Sequence, residues 1–387
     1  MITDKQYQDL VKVIETKSDT IQNKESKPYE KKKYPTHLLE FKESPIGAAR
    51  VFHKGHDGHF YLVKGTNDAY EIIRYDNIVE PSQGETIISW DTANWGTPIQ
   101  IIATSEDLTV FSNTENTARI YHIEENVPEL VYESNDANQS FFTRQFGVKS
   151  YHSGISGAAT IIFAGVYGRG RDNRDLLLSL DGGKSFDIVK QTQLNNTNQN
   201  CHWHDVAIDV YSGLLWASEG DSPDNRGVYF SDDLGESWTT LSNRTQPTAI
   251  LPFADRVVFG RDDGLPGLNY FEKPLTLEDY NKLDNDSIKI LREFKPNTEG
   301  YALYGMAPVT EGQEGYLMYS RYPGETPNII MGTGDGGISF HGLFMGFGPM
   351  SGGTSDLSAI WAMDDDYIYA TNTTRDILVY AERPKWR

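Results

Sequence analysis

Two histidines flank a tryptophan in Cys201-His202-Trp203-His204-Asp205, and on an extended strand that spacing turns both imidazoles toward one face. Such a pair can hold a metal ion once a third ligand joins it, or can divide into a base and the partner that orients it. Histidines satisfied by backbone carbonyls give the same pattern, and from the residues alone no metal and no cofactor is assigned. His152 occupies the comparable strand one repeat earlier. Glu219 and Asp221 offer two carboxylates for glycosidic acid/base chemistry, and His204 offers a base for an elimination. Arginine collects in neighbouring loops: Arg169, Arg171 and Arg174 in GVYGRGRDNRD, Arg226 in SEGDSPDNRG, Arg261 in GRDDGLPG, and Arg321 next to Tyr322. Guanidinium forks beside aromatic rings and carboxylates bind sugar hydroxyls, carboxylates or phosphates. They can equally pair with the adjacent aspartates on a solvated rim. HKGHDGH at 53–59 reads as a turn joining two strands rather than as a metal tract.

These loops are set by a repeat. Seven segments share an apolar strand, a short turn, a second strand carrying an aromatic anchor, a longer polar loop and a third apolar strand. The anchors are Tyr61, Phe111, Phe163, Trp216, Phe259, Tyr319 and Tyr369, at a mean spacing of about 51 residues, the length of a four-stranded propeller blade. The expected fold is therefore an all-β propeller of seven four-stranded blades over 37–387, with six or five blades as the alternatives. HLLEF at 37–41 is a spare strand that would complete the last blade and close the ring. The pattern is weakest over 265–297, where PLTLEDYNKL reads as a short helix. Ahead of the propeller, residues 1 to about 22 carry an amphipathic stripe (Tyr7, Leu10, Ile14, Ile21) behind a capping-box spacing, so a helix and a tether to residue 36 are expected.

Composition narrows the partners. The formal charge of −20 repels phosphate backbones, which argues against nucleic acid. The lone Cys201 forms no intrachain disulfide and no cysteine-based metal site. No apolar stretch reaches membrane-spanning length and no leader precedes the first helix, so no membrane insertion is expected, with synthesis in the cytoplasm.

Three turns share the pattern Ser/Thr-x-Asp-x-Gly-x-Ser/Thr-aromatic: Ser179 to Phe186, Ser231 to Trp238, and Thr333 to Phe340. They fall on the blade period. With them the chain resembles the Asp-box, or BNR-repeat, family of sialidase-like β-propellers over roughly 37–387. The resemblance implies that the boxes sit between the third and fourth strands of a blade, opposite the ligand face. Residues 202–221 are also similar to the opening strands of repeats in Asp-box glycan enzymes. No Arg-Ile-Pro occurs, so the sialidase arginine apparatus is not part of the resemblance. A propeller head behind a short helix and tether is similar in organisation to bacteriophage tail receptor-binding proteins. That implies a place in a virion and a homo-oligomer or virion assembly through the N-terminal helix. The expected ligand is a saccharide, held by His152, Arg169, Arg171, His202, His204, Arg261, Arg321 and Tyr322. The alternative is a polysaccharide hydrolase or lyase using His204, Glu219 or Asp221.

Overall fold

The computed structural model describes residues 34–387 except 67–68, 105–106, 116, 135–138, 142–146, 153–158, 169–173, 193–201, 222–225, 262–266, 275, 294–299, 307–312, 322–327, 347–356 and 373–376. The described residues form seven four-stranded antiparallel sheets, each built from the axis outward, and one two-stranded pair, Gln139–Ser140 with Tyr167–Gly168. The innermost strands are Val51–Lys54 in blade 1, Thr97–Ala103 in blade 2, Val148–Tyr151 in blade 3 and His202–Ile208 in blade 4. Pro247–Pro252, Gly300–Met306 and Leu357–Met363 serve blades 5, 6 and 7. The protein is an all-β propeller of seven blades, as the repeat predicts. Every anchor lies on the second strand of its blade.

Blade 7 takes three strands from the end of the chain and its outermost strand, Lys42–Ala48, from the front. Lys42 faces Tyr380 and Glu43 faces Val379 across an antiparallel seam. Closure by an N-terminal strand is thus as expected, but the strand is not residues 37–41. Leu39 instead donates its N–H to the Leu343 carbonyl at 2.9 Å and buries its side chain among Tyr316, Leu343 and Trp386. The apolar residues of HLLEF report burial against blades 6 and 7 rather than a place in the ladder. The propeller is joined as early as Tyr34, which exchanges two backbone hydrogen bonds with Arg387. The helix expected over 1–22 and the tether up to residue 33 lie outside the described residues.

Hydrophobic burial is organised between blades, because a twisted four-stranded sheet has two apolar faces and each can only be covered by a neighbour. Trp203 and Phe163 join blade 3 to blade 4, Trp216 and Phe271 join blade 4 to blade 5, and Ile99 and Val148 join blade 2 to blade 3. Phe52, Val110 and Tyr369 belong to one cluster spanning blades 7, 1 and 2.

The three Asp turns tie these wedges at one end. They connect the third and fourth strands of blades 3, 4 and 6. In blade 3, Ser185 donates its N–H (3.0 Å) and its hydroxyl (2.6 Å) to the Asp181 carboxylate, while Gly183 N–H donates to Ser179 Oγ (2.8 Å). The same bonds recur around Asp233 and Asp335. The aromatic that follows each turn packs on the preceding blade. Phe186 meets Phe111 edge-on, Trp238 stacks on Phe163 with centroids 6.2 Å apart, and Phe340 joins Leu251 and Phe253. In blade 5 a short helix, Leu277–Tyr280, replaces the turn, and Tyr280 packs on Trp216 and Phe230 of blade 4. Each turn is therefore a latch between blades. Gly235 shows the constraint: its φ is +92° and a Cβ there would lie 2.7 Å from Val189 of blade 3.

Asp335→Ala removes the acceptor of the Ile338 and Ser339 N–H groups and of two hydroxyls. It should lower the stability read by urea unfolding by about 1–3 kcal/mol. Gly235→Ala should act in the same direction. An unchanged urea midpoint in both would remove the latch role from these turns.

Candidate functional site

In each blade the first-to-second and third-to-fourth connections leave one end of the strands, and the second-to-third connection and the crossing to the next blade leave the other. The Asp turns occupy the first end. His202 opens the inner strand of blade 4, Asp221 follows its second strand Leu215–Gly220, and Gln246 precedes the inner strand of blade 5, so all three stand at the second end. Their side chains converge there. His202 Nε2 lies 3.5 Å from Asp221 Oδ2, His204 Nε2 lies 3.4 Å from Asp221 Oδ1, and Gln246 Nε2 donates to Oδ1 at 2.9 Å. Tyr167, from the second-to-third connection of blade 3, lays its ring against His202 with centroids 3.9 Å apart.

Several local features force this convergence. The ladder between the first two strands of blade 4 skips His204: Trp203 faces Glu219 and Asp205 faces Ser218. Such a bulge frees one residue from the pleat and re-aims its side chain. His204 Nδ1 then reaches the Pro247 carbonyl of blade 5 at 3.2 Å. A Cβ on Gly220 would fall 2.1 Å from His204 Cε1, so the ring's place depends on glycine there. Asp221 has φ +70°, a left-handed conformation that costs a non-glycine residue on the order of 1–3 kcal/mol, less for Asp than for most. That backbone is what turns the carboxylate back over the two imidazoles. Burial alone would raise the Asp221 pKa, but the adjoining His204 imidazole, then that of His202, and the Gln246 donor bring it below the usual carboxylate value. The two histidines are buried, whereas the Asp221 side chain is 41% exposed and marks the solvent side of the cluster.

Beneath it, Asp205 joins three blades. Its Oδ1 lies 3.4 Å from Lys149 Nζ of blade 3 and its Oδ2 accepts the Ile250 N–H of blade 5 at 2.9 Å. Burial raises its pKa, and Lys149 opposes that rise.

The remaining expected residues fall in different places. Glu219 is buried between blades and accepts the Tyr229 hydroxyl at 3.0 Å, so it turns away from the partners of Asp221. Arg261 ends the second strand of blade 5 opposite Pro247, and Arg321 ends that of blade 6. Arg169, Arg171 and Tyr322 lie outside the described residues. Arg174 is fully buried, its carbonyl accepting the Trp203 indole N–H at 3.0 Å. Gln246 and Tyr167 were not singled out from sequence. The aromatic in GVYGRGRDNRD was the available signal for the second, and nothing marked the first.

His152 belongs to the other mouth. The inner strand of blade 3 ends at Tyr151, so His152 follows it into the first-to-second connection and meets His56 of blade 1 with ring centroids 5.5 Å apart and planes tilted by 37°. Of the 53–59 segment, His53 and Lys54 end the inner strand of blade 1 and residues 55–59 form the turn to its second strand, which carries His56 to the same end as His53. Burial, followed by the His56 charge and against a bond with Ala103, holds His53 down to about 3. Burial and the His152 charge, opposed by Asp57, hold His56 down to about 4.

No protein-family model and no curated protein sequence matches the chain. Among solved structures it is similar to YCF48 from Cyanidioschyzon merolae, with a TM-score of 0.52 and 11% identity over 89% of this chain and 98% of that one. It is also similar to BBS1N in complex with ARL6DN (TM-score 0.43, 11% identity, 92% and 95% covered). A quinonprotein alcohol dehydrogenase-like protein from Bacteroides thetaiotaomicron shares 11% identity, with a TM-score of 0.43 and 78% and 67% covered. The likeness to YCF48 carries the propeller fold alone.

The histidines at the Asp-turn mouth generate a pH prediction. Both are held below their ordinary 6.5 in the folded chain, so the unfolded chain binds protons first. Stability is full above about pH 6.5 and should fall with pH by on the order of 1.4 kcal/mol per unit for each histidine, toward about 4 and 3. Urea midpoints at pH 7, 6 and 5 should show this slope, and His56→Gln should make it shallower. A flat profile over that range would contradict the assignment.

Proposed function

We propose that this propeller recognises a saccharide at the mouth formed by blades 3, 4 and 5, opposite the Asp turns. The observation that carries the reading is the convergence of His202, His204, Asp221, Gln246 and Tyr167 from three successive blades on one solvent-facing spot. A carboxylate and an amide suit vicinal hydroxyls, and an aromatic ring suits the apolar face of a sugar. Arg261 ends the second strand of blade 5 at this same end, so an anionic sugar suits the mouth as well. The resemblance to Asp-box propellers and to tail receptor-binding proteins supports a glycan on a cell surface as the source. The paired-carboxylate hydrolase loses support, because Glu219 is engaged with Tyr229 inside the blade interface.

A glycan array followed by calorimetric titration tests the reading. Asp221→Ala and Gln246→Ala should each weaken binding of the selected saccharide by about 1–3 kcal/mol, with the fold intact by circular dichroism. Asp181→Ala, at the opposite end, should leave the affinity of the folded fraction unchanged. Absence of saturable saccharide binding, or binding indifferent to Asp221 and Gln246, would refute the proposal. Release of reducing ends or unsaturated uronates during the titration would convert it to an enzyme.

A further inference from the structure

His204 raises a problem that its visible partners do not solve. A carbonyl oxygen can only accept, so the 3.2 Å contact with Pro247 places a proton on Nδ1. In the neutral ring Nε2 is then a lone pair, and it faces the Asp221 Oδ1 acceptor at 3.4 Å. His202 Nε2 faces the other carboxylate oxygen at 3.5 Å. Both distances exceed the about 2.7–2.9 Å of a charge-assisted hydrogen bond. Protonating His204 would make its Nε2 a donor at the expense of a buried charge, and protonating both rings would set two like charges side by side with centroids 4.8 Å apart.

A cation in the middle removes the conflict. His202, His204 and Asp221 each present one ligand atom, all within 4.8 Å of one another. Around an ion with metal–ligand distances of about 2.0–2.2 Å, tetrahedral ligand atoms are about 3.4 Å apart; His204 Nε2 stands 3.4 Å from Asp221 Oδ1 and His202 Nε2 3.5 Å from Oδ2, so each imidazole has one carboxylate oxygen at about that spacing. The surroundings have the form that metal ligands require. The Pro247 carbonyl fixes the His204 tautomer with Nε2 outward, and Gln246 steadies Asp221 Oδ1. We propose that His202 Nε2, His204 Nε2 and an Asp221 carboxylate oxygen bind one divalent transition-metal ion of zinc type, with its remaining coordination open on the exposed side of Asp221. Two imidazoles and one carboxylate suit zinc and its neighbours rather than calcium or magnesium. The open coordination would meet an oxygen of whatever occupies the mouth. The inference stands apart from the saccharide reading, since it is tested with metal alone.

The experiment uses the full chain, stripped with chelator and titrated with zinc chloride by calorimetry, with cobalt(II) ligand-field spectra as a second readout. The wild type should bind one zinc per chain at this site, gain thermal stability, and give a cobalt spectrum of nitrogen and oxygen ligation. Gln246→Ala should weaken zinc by about 10–100-fold through the outer shell. Asp221→Asn and His204→Gln should weaken it by at least that much and abolish the cobalt bands. His56→Gln, at the other mouth, should keep stoichiometry and affinity. Asp221 is solvent-facing, so Asp221→Asn decides the matter if His204→Gln does not fold. A wild type that takes up no stoichiometric zinc, or one whose uptake is unchanged by Asp221→Asn, would overturn the proposal. Zinc uptake without saccharide binding would leave this inference standing and remove only the preceding one.

Discussion

Every apolar wedge in this ring is shared by two blades, and the last of them forms only when the front of the chain meets the end. The pairing of Lys42–Ala48 with Ile377–Glu382 therefore does more than hide an edge. It places the apolar faces of blades 7 and 1 against each other, where Phe52, Phe60 and Tyr369 pack with centroids 5.3–5.7 Å apart. With the circle complete, each inner strand has a fixed angle and height about the axis. The loop residues at either mouth inherit that accuracy. The convergence of side chains from blades 3, 4 and 5 is a property of the closed ring, not of any one blade.

The two mouths divide the work. At the Asp-turn end, polar groups satisfy one another within short turns, and the following aromatics clamp neighbouring blades. Left-handed backbone occurs at both ends, at Leu234 within an Asp turn and at Asp221 opposite; the second end adds a bulge at His204 and a Gly220 that no other residue can replace without displacing an imidazole. Backbone strain persists only where surrounding structure overdetermines it, and it gathers where a side chain must be aimed. Lys149, Asp205 and the Ile250 amide form the support beneath, joining the three blades that carry the cluster. Asp205 is buried and spans all three, so loss of its carboxylate would be felt at the mouth above.

Much of the architecture was legible because it repeats. Tyr61, Phe111, Phe163, Trp216, Phe259 and Tyr369 each mark a buried second-strand position, and one spacing recovers every blade. The closing strand was misplaced for a physical reason. Lys42–Ala48 reads KESPIGA, polar and interrupted by Pro45 and Gly47, as a strand with one free edge is allowed to be. The apolar HLLEF beside it has the composition of a core strand, yet its Leu39 is buried against Tyr316, Leu343 and Trp386 outside the ladder. At the site, alternation correctly put His202 and His204 together, although the ladder skips His204. It could not show that His152 stands past the end of a four-residue strand, at the opposite mouth. Nor could it show that Asp221, left-handed past the end of its strand, turns toward the imidazoles while Glu219, still within the strand, turns toward Tyr229.

The bulge at His204 has counterparts. The first-to-second strand ladder also loses register near the start of the inner strand in blades 2, 5, 6 and 7, skipping Ile99, Thr248 and Ser358 among others. A residue excused from the ladder answers to its surroundings rather than to the sheet, so its identity can drift without cost to the pleat. The ring thus carries a set of equivalent pedestals about one opening, of which blade 4 has fitted imidazole. Such a scaffold is evolvable in a particular sense: new recognition chemistry can be written one pedestal at a time while the blades go on folding as before.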